Sequence, residues 1–238
     1  MNTRDVTLSK IAMAGLLFNS LTPYNTSLVN FRSATDDGLD LAVQKHRDAL
    51  LDWLNAWGCR HLSKNQHQVA SESISDWYQG DCATLFSDKT PVWKLEDEQI
   101  EAAAKAYGSL KEKIGARRSR QGGSKSQVHI GPTAASKILF AIRPKALMPW
   151  DDAMRKSFKC DSSPESYFRY LVTIRDLTLH IEKLCRSKGF AIDDLPGRIG
   201  RPDSTVVELL NEYIWVRTRK IPIKLPSTET LAHWASLG

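Results

Sequence analysis

Apolar residues recur along most of this chain at the spacing of an amphipathic α-helix. In the segment 39–57, the residues that share one face are Leu39, Val43, His46, Leu50, Trp53, Leu54 and Trp57. A repeat of this kind is typical of a helix with one buried face. Similar patterns predict helices over 96–114, 135–142, 164–188 and 204–216. Strand-like patterns are confined to 213–218 and 221–225, which could pair weakly, so the sequence predicts an all-α fold with little or no β structure.

The composition limits the partners and the location of the protein. Its 238 residues carry a net charge of +6, since 33 Lys and Arg residues outnumber 27 Asp and Glu residues. A basic surplus favours a nucleic acid or an acidic membrane surface as partner. No stretch is long enough to cross a bilayer, and the short apolar run at 11–18 is followed by no convincing signal-peptide cleavage site. We therefore expect a cytoplasmic protein without a membrane partner, and its oligomeric state stays open.

The cysteines are too widely spaced to form a recognisable metal or disulfide motif. They are Cys59, Cys82, Cys160 and Cys185. The absence of a Cys-x-x-Cys pair argues against a zinc ribbon and against a compact disulfide framework. The spacing also does not suggest an iron–sulfur cluster. We expect reduced thiols and no metal held by these residues.

A basic, nearly apolar-free stretch spans residues 115–127. It holds Arg117, Arg118, Arg120 and Lys125 and a pair of glycines. Such a composition predicts a mobile loop. The cations could contact phosphate, or they could be an ordinary solvated charge run.

A glycine turn before a helix offers a candidate phosphate site. Gly131 permits backbone conformations that a side chain would forbid, and Pro132 suits the first position of a helix. The free N–H groups at such a helix start favour an anion. Glycine and proline also commonly precede helices for purely conformational reasons, so the turn alone does not identify a function. A second glycine-containing segment, 194–201, looks superficially similar but lacks a following Pro-x-Asp.

Asp151 follows the glycine turn at a fixed interval, because 151 − 131 = 20. It comes after Pro149-Trp150 and before Arg155 and Lys156, which could meet flanking phosphates. An aspartate at the start of a helix is first of all a candidate N-cap. Held near a DNA strand, the same carboxylate could stabilise the cationic sugar that develops as an N-glycosidic bond breaks, or orient the attacking water.

These two motifs together resemble the helix-hairpin-helix DNA glycosylases. The matching residues are Gly131-Pro132-Thr133-Ala134-Ala135 and Pro149-Trp150-Asp151-Asp152-Ala153-Met154-Arg155, about 30 of the 238 residues. The resemblance implies two helical lobes, one spanning 38–143 and the other combining 1–37 with 144–238, and a target base flipped into the cleft between them. It also implies that Asp151 is the essential carboxylate.

The same resemblance implies a DNA-binding surface around the turn. The backbone of Ile130, Gly131 and Thr133 would bind a phosphate, in some members with help from a monovalent cation, and no other cofactor is implied. His129, Lys137, Arg155 and Lys156 are further candidate contacts to double-stranded DNA, together with the four cations of the basic loop.

The chain departs from the pattern of that family at two places. His129 stands where the first hairpin glycine is usual. The family members with lyase activity carry a lysine just before the hairpin Thr-Ala, and here that position holds Thr133 or Pro132, depending on the alignment. Neither is an amine, so the resemblance favours a monofunctional enzyme that leaves an abasic site.

Three aromatic residues are candidates for the wall of a base pocket. Trp150 adjoins the aspartate, whereas Trp77 and Tyr78 lie together in a polar stretch. Aromatic rings of this kind can stack on an extruded base. Trp53, Trp57 and Trp215 lie on helical faces and are predicted to be core.

The sequence thus predicts a monofunctional DNA glycosylase whose base is not defined by the motif. Divergent members of the family excise glucosylated hydroxymethylcytosine from phage DNA in antiviral defence, and this is the favoured substrate class. The alternatives are a repair glycosylase for alkylated or oxidised bases and a non-catalytic DNA-binding module in which Asp151 is only a helix cap. A helical protein-interaction domain with no role on DNA is the remaining class.

Overall fold

Ten α-helices and one two-stranded sheet make up the regular structure of the residues that the computed structural model describes, which are 5–35, 38–62, 64–119, 125–224 and 227. The helices are α1 (Leu8–Leu21), α2 (Tyr24–Ala34), α3 (Gln44–Ala56), α4 (His67–Gly80), α5 (Asp97–Glu112), α6 (Gly131–Ile142), α7 (Asp152–Ser157), α8 (Pro164–Ser187), α9 (Leu195–Arg198) and α10 (Val206–Thr218). The strands are β1 (Ile114–Ser119) and β2 (Lys125–His129). The predicted all-α fold is confirmed.

The helices begin and end where local capping groups satisfy the backbone. Helix α8 begins after Ser163, whose hydroxyl accepts a hydrogen bond from the Ser166 amide. Helix α10 begins after Thr205, which caps the Glu208 amide in the same way. Such caps satisfy donors that a helix start leaves unpaired. The predicted helix over 39–57 begins later, at Gln44, because it is preceded by a turn that the hydrogen bond from the Val43 amide to the Asp40 carbonyl closes.

The basic stretch is not simply a loop. Strands β1 and β2 pair in antiparallel fashion, with Arg117 opposite Gln127, so the prediction of a mobile loop over all of 115–127 is wrong for both ends of the segment. Backbone pairing in a hairpin does not require apolar side chains on both faces, and Ala116 supplies one buried contact. Arg120 lies outside the described residues.

The weak strands predicted near the C-terminal end are also wrong. Residues 213–218 belong to α10, in which Tyr213 and Val216 are fully buried at helical spacing. Residues 221–224 have no regular structure. A short run of β-branched and aromatic residues cannot distinguish a strand from a buried helix.

A continuous hydrophobic core joins the helices and positions the site. Helix α5 packs against both α6 and α8, while α10 packs against α1 and α7. These contacts bring the starts of α6 and α7 next to the C-terminal half of α10. Helix α5 belongs to the first predicted lobe and α8 to the second, and the two helices are in direct contact. The division into two lobes stays a prediction. Within the described part of the chain, no helix combines the length and the apolar character needed to cross a membrane.

Candidate functional site

The segment that leads to Asp151 is fixed by buried hydrogen bonds. The Ser136 hydroxyl donates to the Trp150 carbonyl and accepts from the Trp150 amide, both at 3.2 Å. The hydroxyls of Tyr167 and Tyr170 donate to the two carbonyls before Trp150, at 3.3 and 3.1 Å. An extended buried segment would otherwise leave its polar groups unpaired. These contacts hold the backbone of Asp151 in one place.

The two oxygens of the Asp151 carboxylate accept hydrogen bonds from different partners, and the residue lines a cavity. Its Oδ1 accepts from the Met154 amide at 2.8 Å, so Asp151 is the N-cap of α7. Its Oδ2 accepts from Nη2 of Arg219 at 2.9 Å. The side chain is 23% exposed. The N-cap role and a functional role are therefore compatible, because they use different oxygens.

The cavity beside Asp151 has a volume of about 370 Å³ and mixed walls. Its aromatic lining consists of Phe18, Tyr24, Trp57, Trp150 and Trp215. Its polar lining includes Thr133, Lys137, Asp151, Asn211 and Arg219. This size falls within the range of small-molecule sites, in which apolar walls carry a few convergent polar groups.

Lys137 faces the interior and not the outer surface. Only 8% of the residue is exposed, and its Nζ donates to the Trp57 carbonyl and lies 3.9 Å from Sγ of Cys59. Burial lowers the pKa of Lys137, while the charges of Cys59 and Asp151 act in the opposite direction. A contact between Lys137 and DNA would therefore lie inside the cavity, and not at the glycine turn where a phosphate would bind.

The glycine turn has the predicted backbone conformation, with φ of +76° at Gly131. The prediction that Ile130 offers a free amide is wrong, because that N–H donates to the Lys113 carbonyl at 2.8 Å and the residue is fully buried. The Ile130 carbonyl accepts from Nε2 of His61 at 2.9 Å. Among the described backbone carbonyls, none accepts from the amides of Gly131 or Thr133. These two amides are what the turn can offer to an anion.

The same geometry bears on the implied monovalent cation. Such an ion would require carbonyl oxygens of the turn. The imidazole N–H of His61 already points at the Ile130 carbonyl, which places a donor where a cation would sit. The turn therefore fits a cation poorly.

Arg155 connects the start of α6 with α7. Its Nη1 donates to Oγ1 of Thr133 at 3.3 Å, and its Nη2 lies 3.3 Å from Asp152. The guanidinium also lies 5.8 Å from the centre of the Trp150 ring. Lys156 is largely exposed and pairs with Asp152 at 2.6 Å. The structure thus brings Thr133 of the first motif and Arg155 of the second into contact.

The remaining predicted DNA contacts that the structure describes lie in the two strands β1 and β2. His129 ends β2 with a half-exposed side chain, and its Nδ1 donates to the Glu112 carbonyl at 2.6 Å. Arg117 is exposed on β1. Arg118 and Lys125 lie in the two strands, and their side chains are not among the described ones.

Two of the three predicted pocket aromatics lie elsewhere. Trp77 is fully buried between α4 and α5, and its Nε1 donates to the Ala106 carbonyl at 3.1 Å, so its assignment to a base pocket is wrong. Tyr78 lines a different cavity together with Arg143, so the structure does not bring it to the cavity beside Asp151. Trp150 lines the cavity beside Asp151 but is itself fully buried.

The sequence interpretation missed one face of α10. Asn211, Trp215 and Arg219 stand at i, i+4 and i+8 of one chain segment, and all three line the cavity. This spacing places side chains on one helical face. The polar–aromatic–basic pattern was present in the sequence, but Trp215 was assigned to the core.

No metal site accompanies the cavity in the described ranges. The four cysteines are free, and no group of three or more His, Cys, Asp or Glu side chains could hold a metal ion there. The 194–201 segment forms α9 and a turn, and its Arg201 is paired with Glu212.

Comparisons of the chain with models of protein families, with curated proteins and with solved structures found no match.

Proposed function

We propose that this protein is a monofunctional DNA glycosylase that acts on double-stranded DNA. A modified base would be flipped into the cavity beside Asp151, and its N-glycosidic bond would be hydrolysed to leave an abasic site. The observation that carries the proposal is the Asp151 carboxylate. Asp151 lines an aromatic-walled cavity together with Thr133, whose amide at the start of α6 donates to no described backbone carbonyl.

Asp151 has the geometry to stabilise a developing positive charge. As the bond between the sugar C1′ and the base nitrogen breaks, its electron pair leaves with the base and the sugar becomes cationic. Oδ2 of Asp151 would stabilise that cation and orient a water for addition to C1′, while Oδ1 stays on the Met154 amide. The base takes up a proton, and the water supplies the hydroxyl of the abasic sugar.

The start of α6 would hold a phosphate of the same strand. The amides of Gly131 and Thr133 and the guanidinium of Arg155 converge there. Such contacts set the position of a protein on DNA without reading its sequence. Arg219 would exchange its bond with Asp151 for a phosphate when DNA binds, which frees Oδ2.

Hydrolysis without strand cleavage is favoured by the positions of the amines. Thr133 and Pro132 carry no amine, and Nζ of Lys137 is held on the Trp57 carbonyl one helical turn further along α6. An imine between Lys137 and the abasic sugar would contradict this part of the proposal. Borohydride trapping of a covalent protein–DNA adduct is the direct test.

The favoured substrate is a glucosylated hydroxymethylcytosine of phage DNA, which places the protein in antiviral defence in the cytoplasm. The mixture of aromatic and polar groups in the cavity is compatible with a large, polar base. Repair of alkylated or oxidised bases is the alternative substrate class.

Abasic-site formation by the wild type and by Asp151→Asn tests the proposal. The panel holds alkylated, deaminated, oxidised and glucosylated-cytosine DNA, and mass spectrometry identifies any released base. Asparagine is as good an N-cap as aspartate, so the variant should fold and bind DNA. We expect release by the wild type on one substrate class and a loss of at least about a hundredfold in the variant.

A non-catalytic DNA-binding module is the second candidate. It is favoured by one observation, namely that both oxygens of Asp151 are already bonded, to Met154 and to Arg219. Tight, salt-dependent DNA binding with no base release from any substrate would establish this candidate and overturn the glycosylase.

A further inference from the structure

A departing nucleobase carries the electron pair of its glycosidic bond and must take up a proton. The donor has to lie in the same cavity as the carboxylate, because the base occupies that cavity when the bond breaks. Arg219 lines the cavity but keeps its proton at all accessible pH values. Asp152 is an anion, because its hydrogen bond with Lys156 lowers the pKa of its carboxyl. Among the described lining side chains, Lys137 and Tyr24 are left with a proton that they can transfer.

The contacts of Lys137 leave one of its N–H groups for a ligand. Its Nζ donates to the Trp57 carbonyl, lies 3.9 Å from Sγ of Cys59, and lies 5.5 Å from the centre of the Trp57 ring. An ammonium group has three N–H donors, and the two acceptors use two of them. Within the part of the chain that the structure describes, no third acceptor contacts Nζ. The amine is thus fixed at the wall of the cavity and can still donate into it.

The surroundings of Lys137 favour release of its proton to a base. Burial lowers the pKa of its amine, while Cys59 after α3 and Asp151 before α7 act in the opposite direction. The α10 segment brings the cation of Arg219 to the same cavity, and α2 brings the neutral phenol of Tyr24. An ammonium attracts the electron pair that leaves with the base, whereas a neutral phenol has no charge to do so. Lys137 is therefore the better donor of the two.

From this arrangement we propose that Lys137 is the general acid of the reaction, which donates a proton from Nζ to the base as the glycosidic bond breaks. The inference rests on the proposed glycosylase function and adds a second catalytic residue to Asp151. The electron pair of the bond to C1′ moves to the base, which gains the hydrogen as an Nζ–H bond breaks. The water that adds to C1′ loses its second proton to Asp151. The neutral amine stays on the Trp57 carbonyl and regains a proton from solvent after the base has left.

The pH dependence of base release distinguishes a proton donor from a lysine that only supports the fold. Single-turnover rates are followed by mass spectrometry of the free base, because alkali itself cleaves DNA at abasic sites. The wild-type rate should fall as the pH rises through the lowered pKa of Lys137, since only the protonated amine is an acid. Lys137→Met should be about a hundredfold slower at neutral pH and lack that fall. Lys105→Ala, which removes an exposed lysine of α5, is the matched control and should keep the wild-type rate and profile.

Chemical rescue tests the same assignment with an added amine. Lys137→Ala removes the amine and leaves space in the cavity for a small cation. Methylammonium should raise the rate of this variant by about tenfold or more, because it has N–H groups to donate. Tetramethylammonium at the same concentration carries the charge but no N–H, and it should raise the rate of Lys137→Ala not at all. Tyr24→Phe should keep the wild-type pH profile.

The outcomes separate this inference from the proposed function. If the wild type releases no base from any DNA of the panel, the glycosylase is overturned and the general acid with it. If release depends on Asp151 but Lys137→Met keeps the fall at high pH, the general acid is overturned and the glycosylase stands. The same conclusion follows if Tyr24→Phe abolishes that fall. A lysine that only supports the fold would slow both of its variants without changing the pH profile and without rescue, and this result would also overturn the inference.

Discussion

Glu212 lies almost completely buried on α10, one residue after Asn211, and its charge depends on Arg201. The side chain of Glu212 is 2% exposed and that of Arg201 is 20% exposed. The two guanidinium nitrogens of Arg201 bond to the two carboxylate oxygens at 2.7 and 2.8 Å, and Asn25 donates to one of those oxygens at 2.8 Å. Arg201→Met removes the cation and leaves a buried carboxylate with the Asn25 amide alone.

The expected loss of stability is large. Breaking a buried pair by removing one partner costs about 3–5 kcal/mol. Because Arg201 is one-fifth exposed, water can reach the vacated space, and we expect a value near the lower limit, about 3 kcal/mol. For a chain of this size, that corresponds to a decrease in Tm of roughly 6–12 °C. Differential scanning calorimetry and urea unfolding measure it.

The loss should depend on pH in a defined direction. Burial raises the pKa of Glu212, and the hydrogen bonds and charge of Arg201 oppose that rise. A carboxyl whose pKa is higher in the folded state contributes stability that is present below its unfolded pKa, about 4.3, and lost as the pH rises through its folded pKa. In Arg201→Met the folded pKa should rise further. The variant should therefore be closest to the wild type near about pH 4 and furthest from it at neutral pH.

Two controls make this prediction refutable. Arg186→Met removes an exposed i, i+4 pair with Glu182 and should change stability by no more than about 0.5 kcal/mol. Combining Arg201→Met with Glu212→Gln removes the buried charge and should recover part of the loss. A destabilisation by Arg201→Met no larger than that by Arg186→Met, or one that is the same at all pH values, would contradict a stabilising role of the buried ion pair.

Further substitutions test how the turn and the aspartate segment are positioned. An added Cβ at Gly115 would lie 3.2 Å from the Ile130 backbone, so Gly115→Ala should cost about 1–3 kcal/mol in urea unfolding. Gly197→Ala, with nothing within 4 Å of the added atom, should be neutral or slightly stabilising, and an equal effect at both glycines would contradict the explanation. Ser136→Ala leaves the buried amide and carbonyl of Trp150 without their partner and should cost about 1–3 kcal/mol. An unchanged urea midpoint in this last variant would show that these two bonds do not hold the segment.

Local sequence was enough to predict several parts of the site. The glycine turn is present with a positive φ at Gly131, and Asp151 caps α7 as its sequence position predicts. Both features depend on a few neighbouring residues, since backbone freedom and capping are local properties. The fold then brings Thr133, next to the turn, and Asp151 into the lining of one cavity.

Non-local packing decided the rest of the site. Trp77 and Trp215 both occur in helical segments, yet one is fully buried in the core and the other lines the cavity. Periodicity shows which residues share a helical face but not which other element that face meets. Arg219 lies 68 residues from its partner Asp151, and no local signal connects them.

The helical class, most helix positions, and the turn and cap at Gly131 and Asp151 could all be predicted from the order of residues alone. These follow from interactions within about one helical turn, which the order of residues specifies directly. Long-range packing sets two further features, because it brings Asn211 and Arg219 of the α10 segment to the cavity beside Asp151 and turns Lys137 inward. Those placements depend on how buried faces of distant segments fit together, and close packing is a property of the whole core.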